Sequence, residues 1–180
     1  MKNIVHILGA SGSGTSTLGK ALADKIEYKW LDTDDYFWIA TDPPYEQVRP
    51  VEERIKLIEA DIEKHPRCAI SGSLCGWSDE RLIPLFDLVV FIYTPTDIRI
   101  ERIKKREYER SGERIYPEGD RHEKYAAFIE WAATYDDGDT SQRSLARHRE
   151  WLKFIHCPVL HLDGTEPVDK LVEQVSCALS

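Results

Sequence analysis

The sequence predicts an α/β protein of three layers, a parallel β-sheet covered by helices on both faces. Three observations carry this. Short apolar runs of strand length recur at residues 3–8, 28–31, 67–70, 87–93 and 158–162. Segments of helical period separate them. The run at residues 3–8 has the length and branched residues of a strand buried on both faces, and strands alternating with amphipathic helices imply crossover units and a parallel sheet.

Taken in order, residues 3–8 form a short branched run that ends at a glycine cluster. A helix follows at 15–27, with Leu18, Ala21, Leu22 and Ile26 on one face. After the second strand comes an acidic and aromatic loop at 32–38, and Thr41-Asp42-Pro43-Pro44 breaks regular structure. Helix 51–64 buries Ile55, Ile58 and Ile62. The third strand runs into Ser71-Gly72-Ser73, and 87–93 is the strongest strand signal. From Thr96 a highly charged helix leads to a bend at Gly112 and Pro117-Glu118-Gly119. Helical patterns at 123–135 and 140–154, the fifth strand and a closing helix at 168–179 complete the chain. Without a repeat, low-complexity tract or linker, a single domain over residues 1–180 is expected.

Composition narrows the function. The chain carries 42% hydrophobic and 31% charged residues, ordinary for a soluble globular protein. No apolar run approaches the ~20 residues of a membrane span, and Met1-Lys2-Asn3 enters a strand without a signal-peptide pattern, so a cytoplasmic protein without a membrane partner is expected. The net charge of −8 disfavours nucleic acid as a partner, because a phosphate backbone demands a basic face. Cys68, Cys75, Cys157 and Cys177 lack the spacing of a zinc site and read as reduced, mostly buried thiols.

The chemistry concentrates at Gly9, Ala10, Ser11, Gly12, Ser13, Gly14, Thr15, Ser16 and Thr17, between strand and helix. Glycines let a backbone fold into a nest of converging N–H groups, and a following helix adds its positive dipole end. A triphosphate fits this arrangement, with Ser16 where a hydroxyl ligates Mg²⁺. The alternative is a glycine-rich turn with no ligand, which the strand-before, helix-after context disfavours. The loop departs from the P-loop pattern G-x-x-x-x-G-K-[ST] in having Thr15 at the lysine position. Positive charge for a transferring phosphoryl group must then come from elsewhere, since Lys20 lies further along the helix and points away.

Together with Leu31-Asp32-Thr33-Asp34, Ser71-Gly72-Ser73 and Cys157-Pro158-Val159-Leu160, this loop resembles the adenylate kinase, shikimate kinase and gluconate kinase group of small P-loop kinases. The whole chain is also similar to adenylate-kinase-like ATPases. The resemblance implies a P-loop NTPase fold with strand order 2-3-1-4-5, a mobile helical lid at about residues 99–122, and ATP with Mg²⁺. It puts the phosphates on the 9–17 loop and gives Asp32 and Asp34 the metal and the acceptor hydroxyl. Either aspartate could instead cap a following helix. Arg102 and Arg106, four apart on one helix face, are the first candidates to replace the lysine, with Arg110 next; the other charges there form ion pairs along the helix. A phosphate-contacting arginine after the lid also fits this group, and Arg143, Arg147 and Arg149 offer themselves without distinction. The segment 123–154 is longer than a minimal shikimate kinase has there.

The partners expected are a nucleoside triphosphate and a small-molecule acceptor, for a monomer or homodimer. Tyr36, Phe37, Trp38 and Trp77 could line the acceptor pocket or pack in the core, whereas Trp30, Trp131 and Trp151 read as packing residues. Arg49 and Arg54 could hold an anionic group but read better as a solvated face. An adenine pocket falls between the lid segment and residues 163–165. The function expected is ATP-dependent phosphoryl transfer; the alternative is a nucleotide sensor that transfers nothing.

Overall fold

The computed structural model describes residues 3–179; Met1 and Lys2, which the sequence joins to the first strand, lie outside them. The strands are β1 (Asn3–Gly9), β2 (Lys29–Asp32), β3 (Trp38–Ile39), β4 (Gln47–Val48), β5 (Arg67–Ser71), β6 (Leu88–Tyr93) and β7 (Val159–Asp163). The helices are α1 (Thr15–Ile26), α2 (Thr33–Phe37), α3 (Val51–Lys64), α4 (Asp79–Leu82), α5 (Thr96–Ser111), α6 (His122–Ala133), α7 (Leu145–Leu152) and α8 (Val168–Ala178). Five strands make one parallel sheet in the order β2-β5-β1-β6-β7. Counted along the chain among themselves, they stand in the expected order 2-3-1-4-5.

Side chains alternate across a strand with period two, so each central strand feeds two cores. Ile4 and Leu8 of β1, Cys68 and Ile70 of β5, and Val89 and Phe91 of β6 pack with Ile55, Ile58 and Ile62 of α3 and Trp151 of α7. Val5 and Ile7, Ala69, and Val90 and Ile92 point the other way, onto Leu18 and Leu22 of α1 and Leu171, Val172 and Val175 of α8. Burial on both faces explains why these strands lack a polar alternation. Because they run parallel, Gly9, Asp32 and Ser71 end at one edge of the sheet, with Asp32 opposite Ser71 in register. That edge is where ligands sit in open α/β sheets.

Four readings are corrected. The segment 32–38 is not a loop: Asp32 caps the short helix α2, and Trp38 begins the β3–β4 hairpin. The helix expected at 140–154 starts later, because the Ser144 side chain accepts from Arg147 N and sets the N-cap of α7. Arg54 is no part of a solvated face; it is 8% exposed, donates to Arg49 O and lies 4.1 Å over the Phe37 ring. Arg49 donates to the carbonyls of Tyr36 and Trp38, so this pair holds the hairpin rather than an anion. Of the thiols only Cys68 is buried, while Cys177 is exposed.

Candidate active site

Between β1 and α1 the backbone turns through Gly12 and Gly14 at φ +79° and +99°, left-handed values that side chains rarely adopt. A Cβ at Gly12 would also stand 2.6 Å from the carbonyl oxygen of Arg99, so the base of α5 packs directly on the loop. Arg99 is fully buried and donates to Thr94 O and Ala132 O, which pins that base in place. Thr94 in turn donates to Ser13 O. Gly14 caps α1 without a side-chain hydrogen bond, leaving the first-turn amides of the helix to an anion. Of the predicted loop residues, Ala10, Ser11, Gly12, Thr15 and Ser16 line a cleft of about 1100 Å³. Gly9, Ser13, Gly14 and Thr17 support the turn without lining it.

Ser16 Oγ donates to Asp32 Oδ2 at 2.7 Å, across the edge where β1 and β2 end. Asp32 does two things at once, since its other oxygen accepts from Asp34 N at 3.0 Å and caps α2. Trp30 Nε1 donates to Ser71 Oγ, which stands 3.5 Å from Asp32 Oδ2 and completes the support. Asp34 lines the cleft and remains open to water there. The protein around it nonetheless raises its pKa, by burial first and by the Asp32 charge second, against the opposing pull of Arg143, Arg106 and Arg110.

The structure separates the two arginines that share a face of α5. Arg102 donates to Gly164 O at 3.0 Å and approaches Gly14, joining the loop to the turn after β7. It does not line the cleft, whereas Arg106 does, with its guanidinium 5.8 Å from the Phe128 ring and 3.2 Å from Glu107. Arg143 comes nearest to the loop itself. It donates from Nη2 to Gly9 O at 2.8 Å, and its buried Nε has no hydrogen-bond partner among the described residues. A tight turn aims it there: Asp139 accepts from Ser141, and Ser144 Oγ donates to Asp139 O. Sequence reasoning named Arg143 without choosing it, because the contact joins residues 134 apart.

Phe37, Trp38 and Trp77 line the cleft as acceptor-pocket candidates, but Tyr36 is buried and donates to Asp61. Trp131, expected to pack, is 36% exposed on the cleft wall and stacks on Phe128 at 5.9 Å. At the outer rim Glu46 pairs with Arg121 and Lys124, tying the loop before β4 to α6. At the inner wall stands a hydrogen-bonded chain that sequence reasoning did not join. Ser73 Oγ lies 3.0 Å from Nε2 of buried His148, and the Tyr135 hydroxyl lies 2.7 Å from its Nδ1.

A strand, a glycine loop, a helix and an aspartate opposite the loop's serine, on a 2-3-1-4-5 sheet, define a P-loop protein of the small-molecule kinase superfamily. The chain belongs to the AAA domain family, which it matches over residues 5–126. It is 42% identical over 180 residues to the uncharacterized protein YqaC of Bacillus subtilis (strain 168), covering 100% of this chain and 99% of that one. A cytidylate kinase of Archaeoglobus fulgidus is 28% identical over 114 residues, 57% of this chain and 61% of that enzyme. A shikimate kinase from Bacteroides thetaiotaomicron shares the fold at a TM-score of 0.59 and 15% identity, over 99% of both chains. Among the described residues no helix is long and apolar enough to cross a membrane.

Proposed function

We propose that this chain, acting as one unit, is an ATP-dependent kinase for a small metabolite or nucleotide. The observation that carries the proposal is the Ser16–Asp32 contact of 2.7 Å at the loop, with Asp34 beside it. Gly9, Ser11, Gly12, Ser13, Gly14, Thr15, Ser16 and Thr17 would supply the backbone and hydroxyl donors for the phosphates. One hydroxyl and one carboxylate oxygen make a hard donor set, and Mg²⁺ typically takes one or two carboxylates with substrate phosphates. Ser16 and Asp32 therefore fit magnesium, which would neutralise phosphate charge when bound.

Asp34 would accept the proton of the acceptor hydroxyl as its oxygen bonds to the γ-phosphorus and the bond to the β-phosphate oxygen breaks, releasing ADP. Arg106, and Arg102 from the side of the residue 163–165 turn, would add charge around the phosphates. Arg143 is the strongest substitute for the missing lysine, because four of its N–H donors remain after the Gly9 bond. The test is a coupled screen of Mg-ATP against nucleoside monophosphates, nucleosides, sugar acids and shikimate, beside direct nucleotide binding by calorimetry. Acceptor-dependent ADP release supports the kinase, and absence of ATP binding overturns it. A base with a raised pKa must lose its proton before it works, so activity is expected to fall on acidification at a higher pH than an ordinary carboxylate imposes. Asp34→Asn should remove that acid limb along with most of the activity; a limb that survives assigns the base elsewhere.

Thr15 on the cleft favours one second reading, a nucleotide sensor without turnover. Thr15→Lys separates the two. A gain in phosphoryl transfer of about tenfold or more marks a kinase site depleted of charge. Tight ATP binding with no turnover in either form favours the sensor.

A further inference from the structure

Ser73, His148 and Tyr135 form a chain of hydrogen bonds leading from the cleft wall into the core. Ser73 is half-buried, His148 is fully buried and Tyr135 is 5% exposed. Burial, with the charges of Arg143 and Arg147 and the neighbouring His6, keeps the imidazole neutral, so it has one donor and one acceptor nitrogen. The direction of the chain follows from its inner end. The Tyr135 hydroxyl has His148 Nδ1 as its hydrogen-bond partner among the described residues. Were it to accept from Nδ1–H, its own hydrogen would be buried with no acceptor, a state that native structures rarely tolerate. Spare lone pairs on the phenol oxygen are tolerated far better. Tyr135 therefore donates to Nδ1, and Nε2 carries the proton and donates to Ser73 Oγ.

The geometry points to Ser73 as a fixed hydrogen-bond donor into the cleft, holding an oxygen of an anionic acceptor molecule, a carboxylate or a phosphate monoester. Its own hydrogen has no use towards His148, and Ser73 lines the cleft together with Arg143 and Arg147. Arg147 lies over Gly76, where an added Cβ would meet its Nη2 at 2.7 Å, so a guanidinium flanks the same turn. The arrangement also rules out Ser73 as a nucleophile activated by His148, because Nε2 has no free lone pair to take a proton. That the molecule held is the phosphoryl acceptor rests on the kinase reading; the proton arrangement does not.

The test is two-bond ¹H–¹⁵N correlation on the full chain labelled at its six histidines, with His148 assigned by its loss in His148→Gln. A protonated Nε2 and an unprotonated Nδ1 are expected, and the reverse tautomer overturns the proposal. Shikimate and cytidylate, added separately with a non-hydrolysable ATP analogue, then distinguish carboxylate from phosphate. The ligand that is held shifts His148 Nε2. Its affinity falls about tenfold in Ser73→Ala, the loss of one charge-assisted hydrogen bond, and returns in Ser73→Thr. A His148 signal that responds to neither compound overturns the anchoring role. Failure of ATP to bind would sink the kinase while leaving the tautomer as it is.

Discussion

Arg143→Gln is expected to lower acceptor-dependent ADP release by about 10²–10³-fold, far more than it weakens nucleotide binding, the scale at which a single preorganised charge acts on a transferring group. Thr15 leaves the loop with no cationic side chain of its own. Arg143 is a guanidinium anchored to that loop, through Gly9 O, and its buried Nε is unpartnered among the described residues. Burial lowers its pKa, while Asp34, Tyr135 and Cys75 favour the charged form. Arginine stays protonated in such surroundings. Arg143→Lys should recover part of the rate, since it keeps the charge and loses the planar fork that reaches Gly9 and a phosphate together. Initial rates with saturating Mg-ATP, read beside melting temperatures, separate this from loss of the Gly9 bond. Turnover undiminished in Arg143→Gln would move the role to Arg106.

Folding stability should fall steeply on acidification below pH 6.5, by on the order of 5 kcal/mol by pH 4, because two histidines are buried neutral. His6 lies on β1 with no exposure, stacked 4.8 Å from Phe86, and its Nε2 donates to Gly72 O. Its Nδ1 is buried without a partner among the described residues, and burial lowers its pKa from 6.5 to about 4. Burial, first, and the Arg143 charge lower that of His148 from 6.5 to about 3. As pH falls from 6.5 towards those values, the unfolded chain binds protons that the folded chain refuses, so each step down favours unfolding. Asp34 and Asp35, with raised pKa values, oppose this only where carboxylates begin to protonate. Urea midpoints measured from pH 7 to pH 4.5 check it, and His148→Gln should remove about one proton from the slope. A midpoint that does not move over that range would show that both histidines are charged in the native state.

The sequence by itself determined what depends on neighbours along the chain. Short apolar strands, helices of period 3.6 and a glycine turn between β1 and α1 are local patterns, and they formed, with both faces buried in the central strands and not at the edges β2 and β7. That Ser16 and Asp32 stand at one edge of the sheet was legible too, because parallel strands end on the same side, but the hydrogen bond between them was not. Only tertiary structure decided which arginine reaches the loop. Arg102 and Arg106 have the same helical spacing, yet one bonds Gly164 and the other enters the cleft. Arg143 arrives from the turn before α7, a direction that no periodicity encodes. The same holds for Arg54, which carries a charge and is buried, and for Trp131, which is aromatic and half-open to the cleft. Residue type states what a side chain prefers on average; its partner is set by whichever distant element the packing of the two cores brings against it. Ser73 and His148 meet across 75 residues for that reason.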